Sequence, residues 1–172
     1  YESVMLKTST ATVGTYILGT ANTNDFASYD LDSPELSKSY DSRVYSGPAY
    51  KLSAIQNPGS GYTNNAAGAQ TTGGSGSGIR VATTTTNGAV TSITLVSRGN
   101  GYRAGDLITI VGGNNNAKFK VVNVQQSNGE ITITEVLDGK YTGKFKFNVV
   151  DELGDVVTFS EGWFYKVPLA TF

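Results

Sequence analysis

The chain has 172 residues, with 13 Lys+Arg against 14 Asp+Glu for a net charge of -1, and it contains neither Cys nor His. Those absences remove disulfides, thiolate zinc sites, cysteine nucleophiles and any Ser-His-Asp triad. The charge balance gives no strong pull toward nucleic acid or anionic lipid.

Gly number 21, Tyr 10 and Phe 7, while charged residues make up only 16%. Disordered chains lack such aromatics, so Gly-punctuated runs of Val, Ile, Thr and Tyr predict an all-β protein. A modest apolar content predicts a thin core that gains stability from neighbours. No apolar run approaches the ~18 residues of a membrane span. The chain opens on Tyr1 rather than Met, without a signal-peptide pattern, which reads as a maturation cleavage or an excerpt.

In chain order, Val4-Met5-Leu6 and Thr10 to Leu18 read as extended pieces. An extended arm can add a strand to a neighbour's sheet, so Val4, Met5, Leu6, Tyr16 and Ile17 are the candidate partner-contact residues. Residues 1–20 are accordingly expected to touch other chains more than their own. The stretch Thr20 to Ser46 is rich in Asp, Ser and Asn without a lasting period and predicts a long loop. Within it, Asp30, Asp32 and Glu35 offer carboxylates to Ca²⁺, but the EF-hand glycine and spacing are missing. Asp and Ser before Pro34 equally favour a plain turn.

An internal repeat of roughly 40 residues, the length of a supersecondary unit, follows from Ile55 and again from Leu95. Gly59-Ser60-Gly61-Tyr62 aligns with Gly99-Asn100-Gly101-Tyr102, and Gly139-Lys140-Tyr141 is a shortened echo. Gly73-Gly74 aligns with Gly112-Gly113, Asn87-Gly88 with Asn128-Gly129, and Ile79 and Val81 with Phe119 and Val121. Asn-Gly between alternating strands predicts a type I′ hairpin at both places. Each Gly-x-Gly-Tyr predicts a tight bend that plants a tyrosine over the end of a sheet. Thr63 to Gly78 has no charge and no aromatic and predicts a loop or weak edge strand. Gly73 to Gly78 lacks the Lys-Ser/Thr and the helix of a phosphate-binding loop.

At the C-terminus, Lys144 to Val149 alternates, Glu152 to Asp155 turns, Val156 to Phe159 returns, and Trp163, Phe164, Tyr165 and Val167 follow. This predicts a closing hairpin and strand bearing the largest rings. Asp151, Glu152 and Asp155 cluster at the turn, where solvated charge is the default. Lys118 and Lys120 alternate with Phe119 and Val121 as a solvent face would, and with Arg80, Arg98 and Arg103 they are too few for a nucleic-acid face.

The run from Asn57 to Val124, with Gly101-Tyr102-Arg103-Ala104-Gly105-Asp106 as its most characteristic piece, resembles the Gly-rich repeats of tailed-bacteriophage virion proteins, notably those of large myoviruses. In those chains the repeat occurs in tail-fibre, baseplate and other exterior proteins. The resemblance implies a β fold and a structural or adhesive role on the virion surface, with no catalytic residue to carry over. By analogy it also implies a homo-oligomer, with a trimer as the guess.

The expected architecture is a small β-sandwich or barrel built around the two hairpin repeats, behind an extended N-terminal segment. Its expected divisions are residues 1–54, 55–137 and 138–172. The expected function is a non-enzymatic capsid decoration, cement or tail-accessory subunit that binds other virion proteins, with no cofactor or metal. The alternative is a carbohydrate-binding module in which Tyr62, Tyr102 and Trp163 stack on sugars. For the two repeated tyrosines the favoured assignment is that each only caps its own repeat unit.

Overall fold

The computed structural model describes residues 1–170. Every regular element among them is a strand: β1 (Glu2–Lys7), β2 (Gly14–Gly19), β3 (Phe26–Asp32), β4 (Ser37–Asp41), β5 (Ala49–Leu52), β6 (Asn65–Thr72), β7 (Ser77–Thr86), β8 (Ala89–Asn100), β9 (Leu107–Ile110), β10 (Lys118–Val124), β11 (Asn128–Leu137), β12 (Lys140–Val150) and β13 (Val156–Pro168). The all-β class expected from composition is the class found. The chain divides into two compact units, residues 45–125 and the two flanking segments taken together. The boundaries thus fall at 44/45 and 125/126 rather than at 54/55 and 137/138.

Residues 45–125 form a six-stranded sheet in the order β5-β10-β9-β6-β7-β8. A bridge between Gly47 and Tyr102, and a 2.8 Å hydrogen bond from Arg98 Nε to the Ala49 carbonyl, join its outer strands and nearly close a barrel. Ile79, Val81, Ile108, Ile110, Phe119 and Val121 fill the interior, each at most 1% exposed. The repeat sets this design: β6, β7 and β8 come from the first unit, β9 and β10 from the second. The order is unchanged when β6 exchanges with β9, β7 with β10 and β8 with β5, as a pseudo-two-fold requires.

That symmetry corrects two expectations. Asn87-Gly88 is the left-handed turn between β7 and β8, with φ of 52° and 79°. Asn128-Gly129, in contrast, lies inside β11. Both edges of β10 are already taken, by β9 and by β5, so no strand can return along it. The chain instead turns at Gln125 and leaves for the other sheet. The Thr63–Gly78 stretch also holds more than a loop, because β6 pairs with both β7 and β9. Its small residues suit that place: Ala69 is buried, and a Cβ at Gly68 would press on Val96 at 3.2 Å.

The flanking segments build a seven-stranded sheet, ordered β1-β3-β4-β12-β11-β2, with β13 also on β12. The β3–β4 hairpin joins β12 through a single pair, Asp41 with Val150. One core gathers Leu18 of β2, Ala27 of β3, Tyr40 of β4, Ile131 of β11, and Phe147 and Val149 of β12. The long loop predicted for residues 20–46 is therefore corrected in part, since β3 and β4 occupy its centre. Their polar alternation hid them: Ser39 Oγ donates to Asp30 across the hairpin at 2.6 Å, while Tyr29 packs on the core from the other face. The N-terminal arm is also tied down within its own chain, with β1 on β3 and β2 on β11.

Between β12 and β13, Gly143 faces Phe164 and Phe145 faces Gly162. A Cβ on either glycine would overlap the opposing phenyl ring. Each ring thus covers the bare backbone across from it, and the missing side chains are compensated from the neighbouring strand.

Candidate functional site

The two repeated tyrosines are structural. Tyr62 is 6% exposed and Tyr102 is 1% exposed. The Tyr62 hydroxyl donates to the Ile110 carbonyl at 2.9 Å and accepts from the Asn116 and Ala117 amides at 3.0 Å each. Tyr62 belongs to the first repeat and locks the Gly112–Ala117 turn of the second. Tyr102, from the second repeat, packs beside Gly76 and Gly99, and its hydroxyl accepts weakly from the Ile79 amide at 3.4 Å. Each repeat thus hooks the other, and neither ring is open to a sugar. Stacking on the repeated tyrosines is corrected to burial.

The same lock answers the phosphate-loop question. Asp106 accepts from the Ser75 amide at 2.9 Å, from the Ser75 hydroxyl at 2.7 Å and from the Arg103 amide at 2.9 Å. A carboxylate therefore occupies the concavity of the Gly73–Gly78 loop. Burial pushes the Asp106 carboxyl up, but the Ser75 hydroxyl, the two amides and the Arg103 charge outweigh it and hold it below its ordinary value.

Asp30, Asp32 and Glu35 do not converge: among the described residues no three His, Cys, Asp or Glu side chains could hold a metal ion together. Asp151 and Asp155 meet Lys38 instead, at 3.2 and 2.6 Å. Two basic side chains serve the barrel internally, Arg80 bonding the Gly68 carbonyl and Arg98 the Ala49 carbonyl.

The partner-contact candidates divide by face. Val4, Met5 and Ile17 are exposed, at 41%, 37% and 62%. Leu6 and Tyr16 pack on the core, so their assignment to partner contact is corrected. The Tyr16 hydroxyl is further held by Thr10 at 2.9 Å and by the Thr12 carbonyl at 2.7 Å.

Trp163 remains open, at 68% exposure. It lies opposite Lys144, which lies opposite Thr132. The next row pairs Glu130 with Lys146 through a 3.1 Å ion pair. With Glu161 these side chains rim a shallow depression of about 200 Å³ on the outer face of β11, β12 and β13. Sequence reasoning found the tryptophan but missed its rim. The alternation of Lys144 and Lys146 with Phe145 and Phe147 was visible, but register shifts between β12 and β13 concealed which residues meet Trp163.

A near-closed barrel inserted between two segments of a second β unit, with an open indole among charged side chains, defines the class: a two-unit all-β protein. The chain belongs to the family described as a domain of unknown function (DUF6252), whose model matches residues 53–168. No curated protein and no solved structure matches the chain.

Proposed function

We propose that this chain is a non-enzymatic structural subunit on the exterior of a tailed-phage virion, a capsid decoration or tail-accessory protein joined to its neighbours by strand addition at β2. The observation that carries the reading is the contrast between edges. Residues 45–125 bring their outer strands together. In the other unit, among the described residues, no strand but β11 pairs with β2, while the Asn22 side chain donates to the Ile17 carbonyl at 2.9 Å. Soluble proteins guard such an edge with Lys, Pro or a bulge. The β2 sequence, Gly14-Thr15-Tyr16-Ile17-Leu18-Gly19, has no charge and no proline, and it pairs without a register break. Ile17 and the adjacent Val13 are each 62% exposed beside that edge. A strand edge without charge or proline and flanked by apolar side chains suits a strand supplied by another subunit. The virion setting rests on the resemblance of the repeat.

Sedimentation of the full chain over rising concentration, with imaging of labelled particles, tests the proposal. Assembly and a surface location are expected, and Ile17→Lys should abolish assembly while leaving the monomer's melting temperature nearly unchanged. A chain that stays monomeric at high concentration and is missing from particles would sink the reading.

A further inference from the structure

We propose that the depression around Trp163 is a binding site for a single neutral sugar ring, independent of the edge-strand assembly. The Trp163 indole is left 68% open, a flat apolar surface to which a ligand has access. Its surroundings decide what would cover it. The cores of protein–protein contacts are depleted of charge. Here Glu130, Lys146, Lys144 and Glu161 line the depression together with Trp163. Two positive and two negative side chains cancel, so the depression does not favour a polyanion or a polycation.

Glu130 and Lys146 satisfy each other. The side chains of Lys144 and Glu161 take part in no hydrogen bond or ion pair among the described residues. One free donor and one free acceptor therefore line the depression that the exposed indole borders. A pyranose matches that set: its axial C–H bonds meet the negative face of the indole, and its hydroxyls give to Glu161 and take from Lys144. The depression, of about 200 Å³, has room for one ring. Pockets that enclose a drug-sized molecule run to roughly 300–1,000 Å³. All these residues come from β11, β12 and β13, elements held in one sheet, so the backbone that carries them is in place before a ligand arrives.

The chain has one Trp, so its emission reports on this site alone. The intact chain is titrated with glucose, galactose, mannose, N-acetylglucosamine and their disaccharides, at low and at high salt. A saturable emission change with at least one of them, insensitive to salt, is expected. Lys144→Ala and Glu161→Ala should each weaken binding by about tenfold, as losing one hydrogen bond implies. Trp163→Phe, followed by calorimetry, should bind more weakly than the parent with an unchanged melting temperature. Three results would overturn the proposal: no saturable response to any neutral sugar, a response confined to charged polysaccharides, or an emission shift that tracks protein concentration instead of sugar.

Discussion

Tyr62 and Tyr102 occupy equivalent bends, but their hydroxyls carry different loads. Removing the Tyr62 oxygen strands the Asn116 and Ala117 amides, whereas the Tyr102 oxygen holds only a long contact from Ile79. An unpaired buried donor costs about 1–3 kcal/mol. Tyr62→Phe should therefore lose at least that much in urea unfolding, and Tyr102→Phe less than about 1 kcal/mol. Equal losses would contradict the assignment of the lock. Asp106 gives a second test at this scale. Its carboxyl is held below the ordinary value, so its stabilising effect is complete above the unfolded pKa of about 3.9 and fades as pH falls through the lower folded value. Asp106→Asn should lower the melting temperature at pH 7, and the deficit should shrink as pH drops below about 4. A deficit independent of pH would mean that shape rather than charge holds the Gly73–Gly78 loop.

At the scale of elements, the β12–β13 pair rests on two glycines crossed by two phenylalanines. The three atoms nearest a Cβ at Gly162 all belong to the Phe145 ring, whereas the atom nearest a Cβ at Gly143 is the Thr132 carbonyl oxygen. Gly162→Ala should cost about 1–3 kcal/mol, the usual range for overpacking, and Phe145→Leu should recover part of it. Gly143→Ala should not be rescued by Phe164→Leu, because backbone cannot yield as a side chain does. Thermal melts of the single and double variants distinguish the two cases, and equal rescue would refute the packing argument. These strands were legible from alternation. The β3–β4 hairpin was not, because its Ser and Asp residues pair across strands and mimic the composition of a loop. The Asn128-Gly129 turn failed for the opposite reason: its local signal was clear, but β5 already held the edge that the hairpin needed.

At the scale of the molecule, residues 45–125 enter and leave side by side. The Gln125 amide donates to the Pro48 carbonyl at 2.7 Å, and the Gln125 side chain reaches the Ser46 carbonyl at 3.4 Å. Adjacent termini are what an inserted unit needs, and they make excision geometrically mild. Residues 45–125 expressed alone should melt cooperatively, and so should residues 1–44 joined to the remainder by a short Gly-Ser linker. Failure of the barrel fragment to fold would show that it depends on its host. The repeat, the hairpin at Asn87-Gly88, the β class and the alternation of the C-terminal strands were all determined by sequence, because short-range backbone preferences and period-two burial set them. Only the tertiary structure decided that the tyrosines face inward, that β5 completes the second repeat, and that charges from three strands gather around Trp163. Those outcomes depend on which strand edge is still vacant when distant segments meet, and no local pattern encodes that competition.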